Sequence, residues 1–183
     1  DENRDPTGND GEFFYYIFDV NESAWTRNSG RAIQVEDYND LIIENNRLEG
    51  AYALVDIKGG GNIQVNGNDL SKTIWGVKIS ANFDEPIIGA LIADNDFHDF
   101  YPFAEYNWGG HIDGIFAFCV DGPDGIQGLK IRRNRFYGDF RGWVTALIYM
   151  SGGLTDSYID NNLFCPTIGG NFNIRLNSPT MRN

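Results

Sequence analysis

A six-residue phrase occurs five times in this 183-residue chain. It consists of an aliphatic residue, two variable positions, Asn, one variable position, and Leu or Phe. Successive copies begin 22 to 39 residues apart, and their asparagines are Asn46, Asn68, Asn95, Asn134 and Asn162. A drifting period of this size, with one bend and short apolar segments in each copy, is typical of a solenoid.

The Asn of each phrase suits a bend because its short side chain tolerates left-handed backbone angles and bonds to nearby backbone groups. Equivalent residues of stacked coils lie about 4.8 Å apart. We therefore expect the five amides to form a ladder. The flanking Ile or Val and the Leu or Phe are predicted to point into a shared interior.

A second family of apolar segments precedes the phrases, at 31–35, 52–57, 75–79, 114–120, 145–150 and 171–176. The absence of a 3.6-residue period predicts little helix. The spacing is too long for tight hairpins, which favours parallel stacking. The sequence thus predicts one all-β domain over residues 1–183, a parallel β-helix of about six to seven coils, with 99–113 as an aromatic-rich loop insertion.

The five phrases resemble those of the right-handed parallel β-helix family with pectate-lyase-like coils, over about residues 30–176. Members of that family are polysaccharide lyases, pectin-type glycosidases, uronate epimerases, and phage tailspikes that bind or cut surface glycans. The resemblance implies a right-handed, single-stranded solenoid with a polysaccharide lying along one strand face. It also implies a location outside the cell or on a virion surface.

Charge and chain ends limit the partners. A net charge of −12 disfavours nucleic acid and anionic membrane surfaces, and the sequence has no apolar stretch long enough to cross a bilayer. A solenoid needs capped ends, and residues 177–183 carry no amphipathic cap. This pattern favours a segment of a longer protein or self-association, of which a homotrimer is one form.

The 99–113 insertion holds the densest group of candidate ligand contacts. Tyr101, Tyr106 and Trp108 are suited to stacking on sugar rings, and a lid over the side of the solenoid is the alternative role for the same rings. His111 is a candidate general base, or else a structural hydrogen-bonding residue. It lies two residues before Asp113, and 111–114 resembles a His-x-Asp-Gly signature found at the start of a coil in some β-helix carbohydrate enzymes.

Alternation along the second family predicts an inner and an outer row on the strand face. The inner row is Val35, Ile57, Ile79 and Ala117, and the outer row is Gln34, Asp56, Lys78 and Phe116. Asp56 and Lys78 are then about 5 Å apart on adjacent coils. The simplest interpretation is a surface ion pair. In the functional alternative Lys78 neutralises a substrate carboxylate and Asp56 acts as an acid or a cation ligand.

Two reaction types are open if the protein is an enzyme. β-Elimination on a uronate needs a carboxylate neutraliser, a base and an acid, and Lys78, His111 and Tyr149 are the candidates in that order. Hydrolysis needs two carboxylates, and Asp56 with Asp113 are the candidates, two coils or about 10 Å apart. Binding without cleavage, as in an adhesin or a tailspike, and a purely structural fibre module are the alternatives.

Other polar clusters carry weaker signals. Asp94, Asp96 and Asp99 are candidate ligands for Ca²⁺, but they lack the Gly and the distal Glu of an EF-hand loop. A solvated turn is the simpler interpretation, and His98 beside them is expected to be solvated. Arg132 belongs to the chain's one basic spot, with Arg133 and Arg135, which suits an acidic sugar or a charged edge that blocks aggregation. Cys119 is predicted to be a buried thiol.

Overall fold

The protein is described by a computed structural model that covers residues 31–82, 84–100, 112–120, 125–140, 144–168 and 172–177. Within these ranges the chain forms twenty β-strands and no helix. Every strand pairing is parallel. Each coil contributes one strand to each of up to four sheets, so the predicted parallel β-helix is confirmed. The right-handed sense stays a prediction.

Four sheets make up the solenoid wall. The long sheet contains β1 (Arg31–Glu36), β4 (Ala53–Lys58), β8 (Trp75–Ala81), β12 (Ile112–Cys119), β16 (Val144–Ser151) and β20 (Phe172–Asn177). The corner sheet contains β5 (Gly60–Gly61), β9 (Ile87–Ile88), β13 (Ile126–Gln127) and β17 (Leu154–Thr155). Five coils and the first strand of a sixth therefore lie within the described ranges.

The other two sheets flank the Asn phrases. The first ladder sheet, before each Asn, contains β2 (Ile42–Glu44), β6 (Gln64–Asn66), β10 (Leu91–Ala93), β14 (Lys130–Arg132) and β18 (Tyr158–Asp160). The second ladder sheet, after each Asn, contains β3 (Arg47–Glu49), β7 (Asp69–Ser71), β11 (Asp96–His98), β15 (Arg135–Asp139) and β19 (Leu163–Ile168). Each phrase thus supplies two short strands and the corner between them.

The predicted amide ladder runs through all five coils. The backbone N–H and the side-chain Nδ2 of Asn95 both donate to Oδ1 of Asn134, at 3.1 and 3.0 Å. Asn68 donates in the same way to Asn95, at 2.9 Å for each bond. Each interior amide also donates to a carbonyl on the preceding coil, as Asn95 does to Val65 O at 2.8 Å. The ladder therefore satisfies buried backbone groups at every corner.

The left-handed angle does not fall on the ladder asparagines, which corrects one expectation. It falls on the residue before each of them: Asn45, Gly67, Asp94, Arg133 and Asn161 have φ between 55° and 64°. The preceding residue makes the turn, and this leaves the ladder Asn free of that constraint, with its amide aimed along the stack.

The core is built from the apolar positions of the two families. The inner row of the long sheet is in register as predicted, with Val35, Ile57, Ile79 and Ala117 aligned across four strands. Phenylalanines of the second ladder sheet stack inside, with the ring centroids of Phe97 and Phe136 4.8 Å apart. Cys119 is a buried thiol, as predicted.

Two glycines of the long sheet make room for this phenylalanine stack. A Cβ on Gly114 would lie 2.7 Å from Cε1 of Phe136, and one on Gly76 would lie 2.8 Å from the ring of Phe97. Both distances are well below ordinary van der Waals contact. The glycines allow the long sheet to approach rings that a larger side chain would displace.

Candidate functional site

The outer row of the long sheet extends further than the sequence indicated. Strand register aligns, in chain order, Gln34, Asp56, Lys78, Phe116, Tyr149 and Arg175. The first four were predicted. Tyr149, a candidate acid, joins the row on the fifth coil, and Arg175 was not singled out. Polar residues occupy the early coils, and aromatic residues with a cation occupy the later ones.

The Asp56–Lys78 pair is buried, so the prediction of a surface ion pair is wrong. Asp56 is 0% exposed and Lys78 is 8% exposed. Lys78 Nζ donates to both carboxylate oxygens, at 2.9 and 3.1 Å, and Arg31 contacts the same carboxylate from the first coil. Aromatic neighbours such as Trp75, whose ring centroid lies 5.4 Å from Lys78 Nζ, exclude water. Alternation gave the direction of these side chains but not the packing around them.

A row of aromatic rings crosses the middle of the long sheet. The ring centroid of Phe116 lies 5.6 Å from that of Trp75, 4.8 Å from that of Phe118 and 5.4 Å from that of Tyr149. The ring is stacked on Tyr149 with an angle of 3° between the two ring planes. Trp75, Phe116 and Phe118 are partly exposed, whereas Tyr149 is buried. We call this set, with Phe172 of β20, the aromatic row. It presents apolar ring surface over four coils.

Arg175 ends the aromatic row on the sixth coil. Its guanidinium lies 5.3 Å from the ring centroid of Tyr149 and 5.7 Å from that of Phe172. The residue is exposed, and no carboxylate of the described residues lies within ion-pair distance. Most other described cations have such a partner. In an acidic protein, Arg175 is therefore a cation available to a ligand, and spacing alone gave no signal for it.

Asp113 lies fully buried at the start of β12. Its Oδ1 accepts a hydrogen bond from Ala146 N at 3.0 Å, while Oδ2 is buried without a hydrogen-bond partner among the described residues. Burial raises the pKa of this carboxyl to about 8, against smaller lowering effects of the Ala146 bond and of Arg175. The carboxyl is thus protonated at neutral pH, which is the state that a general acid needs.

The separation between the two carboxylates considered for hydrolysis, Asp56 and Asp113, is larger than predicted. Strand register aligns Asp56 with Phe116, whereas Asp113 aligns with Trp75. The two aspartates are therefore two coils apart and also offset by three residues along the strand direction. That offset increases the backbone separation from about 10 Å to roughly 14 Å. Two-carboxylate hydrolysis uses separations up to about 9.5 Å, so this pair does not match the geometry.

Four predicted site residues, Tyr101, Tyr106, Trp108 and His111, lie outside the described residues, as does most of the 99–113 insertion. Their roles stay predictions. Of that insertion the structure describes Asp99, Phe100, Ile112 and Asp113, and the last three are buried.

His98 is held between two carboxylates, so the prediction that it is solvated is wrong. Its Nε2 lies 2.6 Å from Asp69 Oδ1 and its Nδ1 lies 2.9 Å from Asp99 Oδ2. The imidazole also stacks on Tyr137, with centroids 4.9 Å apart. Burial alone lowers the pKa of His98, but the hydrogen bonds to Asp99 and Asp69 outweigh burial and raise it. The cluster joins three coils and has a structural role.

The carboxylates considered for calcium already have partners: Asp99 lies 2.9 Å from His98 Nδ1, and the other two pair with arginines. Asp94 pairs with Arg133 at 2.7 Å, and Asp96 pairs with Arg135 at 2.5 Å. Within the described ranges no three His, Cys, Asp or Glu side chains are grouped to hold a metal ion. The residues at this turn therefore do not fit a calcium site.

The predicted basic spot is neutralised by acids on neighbouring coils. Arg132 pairs with Asp160 at 3.2 Å, and the partners of Arg133 and Arg135 are the aspartates 39 residues earlier. These pairs link the outer surfaces of adjacent coils. Arg132 thus belongs to a charged ladder on the first ladder sheet, away from the aromatic row.

A cleft of about 620 Å³ lies at the corner of the first three coils. Its lining residues are mostly polar or small: Asp37, Asn39, Asp40, Gly60, Gly61, Asn62, Pro86 and Ile88. Gly60 has a φ of 99° and approaches Tyr38 O too closely for any Cβ. This cleft is separate from the aromatic row, and the sequence gave no indication of it.

Comparison with known proteins gives one structural likeness. Neither a protein-family model nor a curated protein matches this chain, so the pectate-lyase-like family stays a prediction. The structure of the Streptococcus pneumoniae surface protein and adhesin PfbA is similar over 83% of this chain, with 12% sequence identity and a TM-score of 0.48. The chain spans 55% of the length of that structure. Among the described residues no helix has the length and apolarity to span a membrane.

Proposed function

We propose that this protein binds an extended polysaccharide along the outer face of the long sheet. The observation that carries the proposal is the aromatic row, which runs from Trp75 through Phe116 and Tyr149 and ends at the exposed Arg175. Aromatic rings offer large apolar surface to the C–H faces of sugars, and a polar group at the margin gives orientation.

Arg175 indicates the chemistry of the glycan. A guanidinium bonds in a bidentate manner to carboxylate, sulfate or phosphate groups. Lys78 was the sequence-based candidate for this role, but both oxygens of Asp56 already engage it. The coils of Trp75 and Arg175 are three steps apart, roughly 14 Å at the usual strand spacing. A glycan with an acidic group at the Arg175 end fits this distribution of charge.

The setting that we propose follows from this ligand. We place the binding of this polysaccharide outside the cell or on a virion surface, where long acidic polysaccharides occur. The −12 net charge favours a local cation such as Arg175 over general electrostatic attraction to an anionic polymer. Homotrimer formation remains part of this proposal.

Glycan cleavage is the second candidate function, and one observation favours it. Asp113 carries a buried carboxyl with a pKa raised to about 8, and its backbone pairs in register with that of Trp75 in the aromatic row. A carboxyl protonated at neutral pH can give its proton to a leaving sugar oxygen. Without cleavage the same face is a receptor-binding surface of the adhesin or tailspike kind.

A glycan array tests the binding proposal. We expect the protein to bind one class of acidic polysaccharide and Arg175→Gln to weaken that binding about tenfold or more, since a hydrogen bond to a charged group contributes about 1.5–3 kcal/mol. Lys130→Gln is the matched control, because Lys130 is also exposed and has no ion pair among the described residues, but lies on the first ladder sheet. Equal loss in both variants, or no bound glycan, would refute the proposal.

A turnover assay separates the two candidates. The polysaccharide that binds is incubated with the protein, and new reducing ends and unsaturated-uronate absorbance are followed. If Asp113 is the acid, Asp113→Asn abolishes product formation and leaves binding intact. Binding without product in the unmodified protein excludes cleavage.

A further inference from the structure

The buried ammonium of Lys78 lies beside two rings of the aromatic row. Its Nζ is 5.4 Å from the ring centroid of Trp75 and 5.8 Å from that of Phe118. On β8, Trp75 comes three residues before Lys78, whereas Phe118 on β12 is aligned with Ser80, two residues after it. The two rings therefore approach one cation from opposite sides along the strand direction.

Asp56 and Arg31 fix this cation from outside the aromatic row. Lys78 Nζ donates to both oxygens of the Asp56 carboxylate, at 2.9 and 3.1 Å, and Arg31 contacts the same carboxylate. Asp56 is 0% exposed and Lys78 is 8% exposed, so little water competes for the ammonium. A lysine side chain is otherwise flexible. The earlier strands β1 and β4 therefore determine where the charge lies, and two rings pack against it.

The rings need such a contact to keep one orientation. Phe116 and Phe118 carry no polar side-chain atom, and Nε1 of Trp75 has no hydrogen-bond partner among the described residues. All three side chains are partly exposed, so close packing does not enclose them. A cation over a ring face attracts the ring electrostatically, and the attraction is stronger where water is excluded. The Lys78 ammonium therefore supplies a directional contact to two rings that their neighbours do not enclose.

We propose that Lys78 is a positioning residue of the polysaccharide site. It holds Trp75 and Phe118 on either side of Phe116, with ring planes inclined by 32° and 19° to the plane of Phe116. A binding surface whose side chains are already ordered loses less conformational entropy when the ligand arrives. Lys78 thus acts on the glycan through the rings and does not neutralise a sugar carboxylate. The inference rests on the proposed function for the ligand, whereas the orientation of the rings can be measured without one.

The first readout is affinity for the acidic polysaccharide that the glycan array identifies, measured by calorimetric titration. Lys78→Met keeps the length of the side chain and removes its charge, and we expect binding about fivefold weaker or more. Lys78→Arg restores a cation beside both rings and is expected to bind nearly as well as the unmodified protein. If Lys78→Met does not fold, as judged by thermal melting, the double variant Asp56→Asn/Lys78→Met replaces it, because it removes both buried charges.

The second readout is the arrangement of the rings without any ligand. Nuclear Overhauser contacts from the Phe116 ring to Trp75 and to Phe118 are recorded on protein with labelled aromatic residues. We expect both contacts in the unmodified protein and in Lys78→Arg, and their loss or weakening in Lys78→Met. Asn95→Ala is the control for general destabilisation, because Asn95 supports the wall through the amide ladder. It is expected to keep both the ring contacts and the affinity.

Three results would overturn the inference. Lys78→Met keeps either its affinity or its ring contacts, Lys78→Arg loses as much affinity as Lys78→Met, or Asn95→Ala loses as much as either. The first of these leaves the proposed function standing without the positioning role. If the unmodified protein binds no glycan, the proposed function is wrong, and the ring contacts alone decide whether Lys78 orients Trp75 and Phe118.

Discussion

Lys78 donates to both carboxylate oxygens of Asp56 on the neighbouring coil, and the pair is buried beneath aromatic rings. Removing one member leaves an uncompensated charge inside the protein. We expect Asp56→Ala to lower the free energy of unfolding by about 3–5 kcal/mol, measured by urea denaturation.

An exposed pair on the same sheet is the control. Glu36 and Lys58 approach to 2.6 Å with side chains 56% and 38% exposed, so Glu36→Ala is expected to lower the free energy of unfolding far less than Asp56→Ala does. Similar losses for the two variants would show that Asp56 behaves as a surface residue.

Position along the amide ladder sets the cost of losing a rung. Asn95→Ala removes the acceptor of the Asn68 N–H and the side-chain donor to Val65 O inside the wall, while Asn68 Nδ2 keeps Ile43 O and Asn66 O. Each buried group that loses its partner costs about 1–3 kcal/mol. We expect a total loss near 3 kcal/mol or more. Asn46→Ala, at the half-exposed first rung, removes the Nδ2 bonds to Asn68 Oδ1 and Glu44 O but keeps the backbone N–H bond to Asn68 Oδ1, and it is expected to cost about 1 kcal/mol. Chemical denaturation measures both, and equal losses would contradict a cooperative ladder.

The fold was predictable because its signals are local and repeated. A period-two pattern assigns Ile57 and Ile79 to the interior and Asp56 and Lys78 to the outside, and the phrase spacing puts the asparagines in one line. A one-residue error, the left-handed angle at Asp94 and not at Asn95, leaves the architecture unchanged.

The site was less predictable because partners come from other coils. From the sequence His98 is predicted to be a solvated turn residue, because its partner Asp69 lies 29 residues earlier in the chain. Asp94 is a candidate metal ligand in the sequence, because its partner Arg133 lies 39 residues later. Arg175 is an ordinary strand residue in the sequence, and only the fold shows that it stacks on Tyr149. Contacts at such sequence distances depend on the number of residues in each coil, which varies here.

The imidazole of His98 makes stability depend on pH. Its pKa is raised in the folded protein by Asp99 and Asp69, against the lowering effect of burial. A raised folded pKa means that the stabilisation is fully present below the unfolded value of 6.5 and is lost as the pH rises through the folded pKa. Urea midpoints across this range are expected to fall in the unmodified protein and to show less dependence in His98→Gln. An unchanged slope in the variant would assign the effect to other groups.

Gly114 is required by the phenylalanine stack. A Cβ there would lie 2.6 Å from Leu147 O as well as against Phe136, so Gly114→Ala is expected to cost about 1–3 kcal/mol through overpacking. Phe136→Leu removes part of the obstruction, and the double variant is expected to lose less than the sum of the single losses. Additive losses in a double-mutant cycle would show that the ring is not what the new methyl group meets.

Asp113 makes the free energy of unfolding depend on pH in the opposite sense to an ordinary salt-bridged carboxylate. Burial disfavours the charged form and raises the pKa of this carboxyl from its ordinary 3.8 to about 8 in the folded protein. Between these values the folded state binds one more proton than the unfolded state, so stability falls as the pH rises. Asp113→Asn keeps the acceptor for Ala146 N and cannot ionise. We expect it to be more stable than the unmodified protein at neutral pH, by more than about 1 kcal/mol, and equal to it near pH 4. If urea denaturation shows no such divergence, Asp113 is already ionised in the folded protein, and the general-acid role of this residue is wrong.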